Sequence, residues 1–368
     1  MVVGNQGQRI SVPVMKKSRS IVWSSTLGLA LLSLVSLASQ GDALAKGKGQ
    51  SDKILQFQSR GLPDPFMVRF KDIRTKPRVL HFPEYSLGEV TIADKSDEYQ
   101  NCRRGAAKGT VEVPPGKFVT FIPAARFYQN PAIIKTLPPD GIDCVWFSAM
   151  SLADAEDGMC DRALAHIGHL KGLLELNLDK SDATDAGFAY ASELPNLQKV
   201  TAFQASVKGA ALAKFGGLKQ LRYLRLPSTY MQDENLKYVA GLPGLKALSL
   251  GHASISDKGV KNLANCHQLV SLDLENCPRV TDESIKVLVG LKNLRYLTLA
   301  GTSMTSDAAM QLKGIPYYTL SWPHTRAYTR ADISAIRAAF PGVNVVFPNG
   351  DRRKPVDADT RSLFAPLR

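Results

Sequence analysis

The stretch "LVSLDLENCPRVTDESIKVLVGLKNL" (residues 269–294) decides the fold. It opens with leucines at 269, 272 and 274, sets Cys277 three residues on, passes through "VTDESI", and ends at a leucine that starts the pattern again. Aligned against itself, the chain repeats L-x-x-L-x-L from Leu173, Leu197, Leu221, Leu245, Leu269 and Leu294, at steps of 24 or 25 residues. Alternation at period two marks a short strand with one buried face. Val260, Leu263 and Ala264, and likewise Ile285, Leu288 and Val289, follow at helical spacing. Neither element can bury its apolar face alone, so stacking of successive copies explains why the period is kept.

The joining segments "VTDES", "ISDKG" and "ATDAG" put Ser or Thr at a helix N-cap and Asp in the first turn, a capping pattern rather than a catalytic one. Cys277 falls on a ladder position shared with Ser181, Ala205, Thr229, Ala253 and Thr302, which reads as a small buried residue. The copy at 197–220 lacks the Thr-Asp cap.

These features resemble the leucine-rich repeat family. L-x-x-L-x-L-x-x-C followed by "VTD" or "ISD" resembles its cysteine-containing subtype, found in the repeat half of F-box proteins and in bacterial exported proteins. The resemblance implies an α/β solenoid, a curved horseshoe with parallel strands inside and helices outside, and a general role in protein binding. Only Cys277 carries cysteine at the ladder, and no F-box-like helical segment precedes the repeats.

A looser copy starts at Ile142, with Val145, Phe147 and Met150 in strand and ladder positions; "MCDRALAHIGHL" (159–170) places Cys160 at its N-cap. About seven or eight coils are expected, with repeats over 141–315, a C-terminal cap over 316–348 and a mobile tail over 349–368. Upstream, 77–140 is β in character, a cap or a separate module, with Pro114-Pro115-Gly116 reading as a hairpin turn. Residues 46–76 are polar and basic and read as a linker.

Lys16, Lys17 and Arg19 precede an uncharged run from Ser20 to Gly41, and Ala43-Leu44-Ala45 offers a cleavage site. The layout predicts a secretory signal peptide over 1–45, hence export, with an uncleaved membrane anchor as the alternative. Its removal takes four of 46 basic and one of 33 acidic residues, leaving 42 against 32, a net +10. That surplus suits an anionic envelope polymer or glycan as a second class of partner. No basic stripe with interleaved aromatics points to nucleic acid. Five cysteines are too few and too irregular for a disulfide framework, and an odd number leaves at least one unpaired in a monomer.

Residues flanking the strand leucines point away from the core. On that concave face the candidate binding residues are Trp146, Phe203, Tyr223, Arg225, Asp273, Glu275 and Tyr296, since exposed aromatics and Arg dominate binding hot spots. Small residues at 247, 249 and 251 leave a gap there or are neutral. Cys160, His166 and His169 lack a fourth metal ligand. Motifs for a serine nucleophile, a zinc protease or a phosphate loop are missing, so no cofactor is implied. An enzyme would have to reside in 77–140.

Overall fold

The computed structural model describes residues 68–96, 102–148, 157–324 and 328–347. The predicted signal segment, Met150, most of the loop after it and the 349–368 tail lie outside the described residues.

Fourteen short strands are described: β1 (Arg78–His81), β2 (Gly88–Ala93), β3 (Arg103–Ala106), β4 (Thr110–Val113), β5 (Phe118–Pro123), β6 (Cys144–Trp146) and β7 (Glu175–Asn177). They continue with β8 (Lys199–Thr201), β9 (Tyr223–Arg225), β10 (Ala247–Ser249), β11 (Ser271–Asp273), β12 (Tyr296–Thr298), β13 (Thr319–Ser321) and β14 (Asn344–Val346). β5 to β14 pair in parallel, each with the next, in one ladder that the antiparallel β2 and β3 extend beyond β5. The register is one coil per strand: Leu176, Val200, Leu224, Leu248, Leu272 and Leu297 align across it. This is a leucine-rich-repeat solenoid.

Leucines that open the repeats, from Leu173 to Leu294, are fully buried, and one apolar core runs from Leu80 to Val345. Burying each such side chain contributes about 1.5–3 kcal/mol. On the other side of each coil the chain makes one or two short turns. Asp257–Lys261 and Ile285–Gly290 are α-helical, but Ala210–Gly217 and Asp233–Gly241 are 3-10 helices. The expected helices are therefore shorter and tighter than the apolar spacing suggests, because 24 residues must also supply a strand and two turns. Ala264 is exposed, so it leaves its expected stripe, whereas the half-buried Val289 still packs against the core beside Ile285 and Leu288.

The capping residues work across coils. Thr184, Ser256, Thr281 and Thr305 each accept a backbone N–H at the start of their own helical turn. Each in turn gives its N–H and hydroxyl to an aspartate of the preceding coil: Asp161 to Thr184, Asp233 to Ser256, Asp257 to Thr281 and Asp282 to Thr305. Where the 197–220 copy lacks a hydroxyl, the carboxylate of Asp185 caps directly, accepting from the N–H of Lys208, Gly209 and Ala211 at 2.8, 3.0 and 2.9 Å. Cys160 does not cap. Gly158 holds the N-cap in left-handed backbone (φ 78°), and Cys160 lies inside the helix Met159–Leu164, where Asp182 accepts its N–H.

The chain leaves each of β7 to β12 through a left-handed residue: Lys180, Gln204, Ser228, His252 and Asn276, with φ between 51° and 60°, and then Gly301. In that conformation the N–H of the first five reaches a carbonyl of the next coil, as from Lys180 to Phe203 at 2.6 Å and from Asn276 to Ala300 at 2.8 Å.

Two expectations fail upstream of the repeats. Pro114-Pro115-Gly116 does not close a hairpin: β4 pairs with β1, whereas β5 lies between β2 and β6. The nearly fully buried β5 has both edges taken by the large sheet, while the half-exposed β4 suits a two-stranded flap. Nor is 68–76 a linker. Val68 and Phe70 bury against Phe118, Cys144 and Leu174, Arg69 exchanges two main-chain bonds with the Gln198 side chain, and Arg74 reaches the buried Asp143. Only two apolar residues in a basic stretch do the packing, too few to register as a pattern. At the other end, β13, the helix Arg330–Ala339 with its Thr329–Asp332 capping box, and β14 follow the order read in "IPYYTLSW" and "ADISAIRAAFPGVNVVF".

Candidate functional site on the strand face

Side chains that flank the strand leucines stand in three columns across the sheet. Cys144, Glu175, Lys199, Tyr223, Ala247, Ser271 and Tyr296 form the first; Trp146, Asn177, Thr201, Arg225, Ser249, Asp273 and Thr298 form the second. The third, just past the strands, includes Asp179, Phe203, Gly251 and Glu275. Neighbouring strands lie about 4.8 Å apart, so Tyr223 and Tyr296, three coils apart, are separated by roughly 14 Å.

The predicted site residues divide by burial. Tyr223 and Arg225 are each 4% exposed and Asp273 is 3% exposed. The expectation of exposed hot-spot residues therefore fails for these three. Trp146, Phe203 and Tyr296 are half-buried, and Glu275 is exposed. Alternation along a strand tells which face a residue takes, and it is silent about how deeply that face is covered.

Charges on this face are matched from coil to coil. Lys199 pairs with the buried Glu175 at 3.1 Å and lies 5.7 Å from the Tyr223 ring. Arg225 spans two coils to Asp179 at 3.3 Å and sits 5.3 Å from the ring of Phe203 between them. Asp179 also accepts the Phe203 N–H at 2.7 Å, which fixes the backbone beneath that ring. Burial pushes the Asp179 carboxyl above the usual carboxylate range, with Arg225 opposing it.

Asp273 accepts from the Ser249 hydroxyl at 2.8 Å and from the Glu275 N–H at 2.9 Å. Its carboxyl is also pushed up, chiefly by burial. Ala247, Ser249 and Gly251 are buried, so the suspected gap is closed; a side chain at Gly251 would stand 3.1 Å from Asp273 Oδ2. Tyr296 packs edge-on against Tyr318, with ring centres 5.6 Å apart. The sequence reading missed Asp179, Glu175 and Lys199 as site-building residues; for Glu175 and Lys199 the available signal was complementary charge 24 residues apart, in register, whereas Asp179 and Arg225 stand 46 residues apart and left no such sign.

Asn177 Nδ2 and Ser271 Oγ are among the polar atoms on this face that are buried with no hydrogen-bond partner among the described residues.

Cys277 and His169 make contacts within the fold. Cys277 Sγ donates to Leu250 O of the preceding coil at 3.3 Å, and burial pushes its thiol up to about 12. At the same ladder position Ser181, Thr229 and Thr302 donate instead to the carbonyl three residues back. Both ring nitrogens of His169 lie against carbonyl oxygens, of His166 and Leu137. Among the described residues no group of His, Cys, Asp and Glu is placed to hold a metal ion.

Compared with known protein families and with curated proteins, the sequence matches none. Among solved structures the chain is similar to an internalin from Listeria monocytogenes, at 21% identity over 52% of this chain and 56% of the internalin, with a TM-score of 0.37. The match thus spans about half the length of either protein, and a score of that size bears on neither function nor site. No helix among the described residues is long and apolar enough to cross a membrane.

Proposed function

We propose that the protein is a non-enzymatic scaffold that binds a protein partner across its strand face. The observation that carries this reading is the set Trp146, Phe203, Tyr296 and Glu275, which present partly or fully accessible surface on a sheet braced by the Lys199–Glu175 and Arg225–Asp179 pairs. Aromatic rings held by a rigid frame lose little entropy on binding and are enriched among anchoring residues. Tyr223, Arg225 and Asp273 then act beneath the surface, fixing Phe203 and the neighbouring strands.

The reading extends to the rest of the chain. Residues 1–45 direct export and are removed after Ala45, placing the solenoid outside the cytoplasm. Residues 77–140 serve as the N-terminal cap, since β5 joins them to the first coil, and 316–348 serve as the C-terminal cap. The Cys277 bond to the preceding coil supports placing the repeats with the cysteine-containing subtype.

The test is capture of a partner by the full chain and by a Phe203→Ala, Tyr296→Ala variant that keeps the wild-type melting temperature. Loss of the captured protein from the variant supports the strand face. Equal capture places binding elsewhere, and a capture that disappears in moderate salt with either chain favours an anionic polymer instead.

A further inference from the structure

A second candidate site lies at the N-terminal end of the solenoid, apart from the strand face and independent of its reading. Arg74 and Arg78 converge on Asp143, which is fully buried: Arg74 Nε donates to Oδ1 at 2.5 Å and Arg78 Nη2 to Oδ2 at 2.9 Å. The Val119 N–H donates to Oδ2 as well, at 2.7 Å. One carboxylate therefore serves two guanidinium groups whose side chains are only 7% and 9% exposed. The remaining bonds go to neutral carbonyls: Arg74 to Gly172, and Arg78 to Lys117, Asp140 and Gly141. Arg78 Nε is buried with no partner among the described residues. A buried cation in excess of its counter-charge is costly to hold unless a further anion is supplied.

A cleft of about 380 Å³ opens onto this pair, within the range of small-molecule pockets at ~300–1,000 Å³. Lys76 adds a third cation to its lining, and Asp140 adds one exposed carboxylate. Ile73 and Val79 also line it, and they are the two aliphatic residues among the large apolar side chains that stand exposed on the described surface. The lining thus combines a cationic floor with aliphatic edges. Arg74 is held further by its carbonyl, which accepts the Gly116 N–H at 2.6 Å, so the floor is preformed.

The geometry points to this cleft as a binding site for a small organic anion that joins an oxyanion head to a short aliphatic portion. The head pairs with Lys76 above the Arg74 and Arg78 guanidinium groups that line the cleft, and the aliphatic portion covers Ile73 and Val79. Arginine is suited to such a head because its planar donors match an oxyanion geometrically.

The test is calorimetric titration of the full chain with octyl phosphate below its micelle concentration, beside inorganic phosphate and octyl glucoside. The proposal expects one saturable site for octyl phosphate, at least ~10-fold tighter than for either control, because head and tail contribute separately. Lys76→Glu and Val79→Glu, both at exposed positions, are each expected to weaken it at least ~5-fold, with the fold unchanged by circular dichroism. Equal binding of octyl glucoside, insensitivity to both substitutions, or no binding would overturn it. So would pelleting of the protein with phosphatidylglycerol vesicles when octyl phosphate does not bind.

Discussion

Asp257, in the first turn of one coil, accepts both the main-chain N–H and the hydroxyl of Thr281 in the next, at 2.9 and 2.8 Å, and the Ser284 hydroxyl as well. A residue that reads as a local helix cap is thus also the link between coils. Because each coil packs chiefly on its neighbours, links of this kind set how cooperatively the array unfolds.

Asp257→Ala is expected to cost about 1–2 kcal/mol, the upper part of the range for a lost cap, since it leaves the Thr281 donors unpaired. Thr281→Ala removes the same link from the other side. A double-mutant cycle by urea denaturation should show coupling of at least ~0.5 kcal/mol. Additivity within error would reduce Asp257 to an ordinary surface residue.

Asp143→Ala should be far more damaging. It leaves Arg74 and Arg78 buried without a counter-ion, and breaking a buried ion pair typically costs ~3–5 kcal/mol. Chemical denaturation measures this, and a loss under ~1 kcal/mol would show that 68–78 does not anchor the N-terminal end.

Asp273 gives a pH signature. Its carboxyl in the folded chain lies above the unfolded value of 3.8, so the folded state holds its proton more tightly. Its contribution to stability is then greatest below 3.8 and falls as pH rises through the folded value. Asp273→Asn removes that slope: relative to the wild type the variant should gain stability as pH rises from below 3.8 toward neutrality. Denaturation midpoints measured for both proteins across that range check it, and a difference that runs the other way contradicts the burial argument.

Thiol accessibility follows from the ladder. Cys144, Cys160, Cys266 and Cys277 are buried and Cys102 is half-buried. Burial pushes the Cys266 and Cys277 thiols up to about 11 and about 12. At pH 8 the native protein should take up one alkyl group rapidly, at Cys102, and the other four only after denaturation. Rapid labelling of Cys277 would contradict its place in the core.

The solenoid was legible because leucine recurrence reports directly on a buried strand face, and the six copies keep one register. The layout of the candidate face was legible in part. Period-two alternation put Trp146, Phe203 and Tyr296 on the correct face, but depth depends on what neighbouring coils hold, and so Tyr223 and Arg225 turned out buried. The left-handed turns at Lys180, Gln204 and Ser228 carried no sign, since a residue other than glycine or asparagine at such a position contradicts local preference and is retained for its bond to the next coil. The packing of 68–76 rests on Val68, Phe70 and Arg74, three residues whose partners are distant in sequence.

The measurement that bears most directly on the scaffold reading is site-specific photo-crosslinking in the native host. A photoreactive phenylalanine analogue would replace Phe203 or Glu275 on the strand face, and Lys286 on the opposite helical side as a control. The account predicts one and the same protein adduct from positions 203 and 275 and none from 286. Adducts from 286 alone, or none from the strand face, would contradict it.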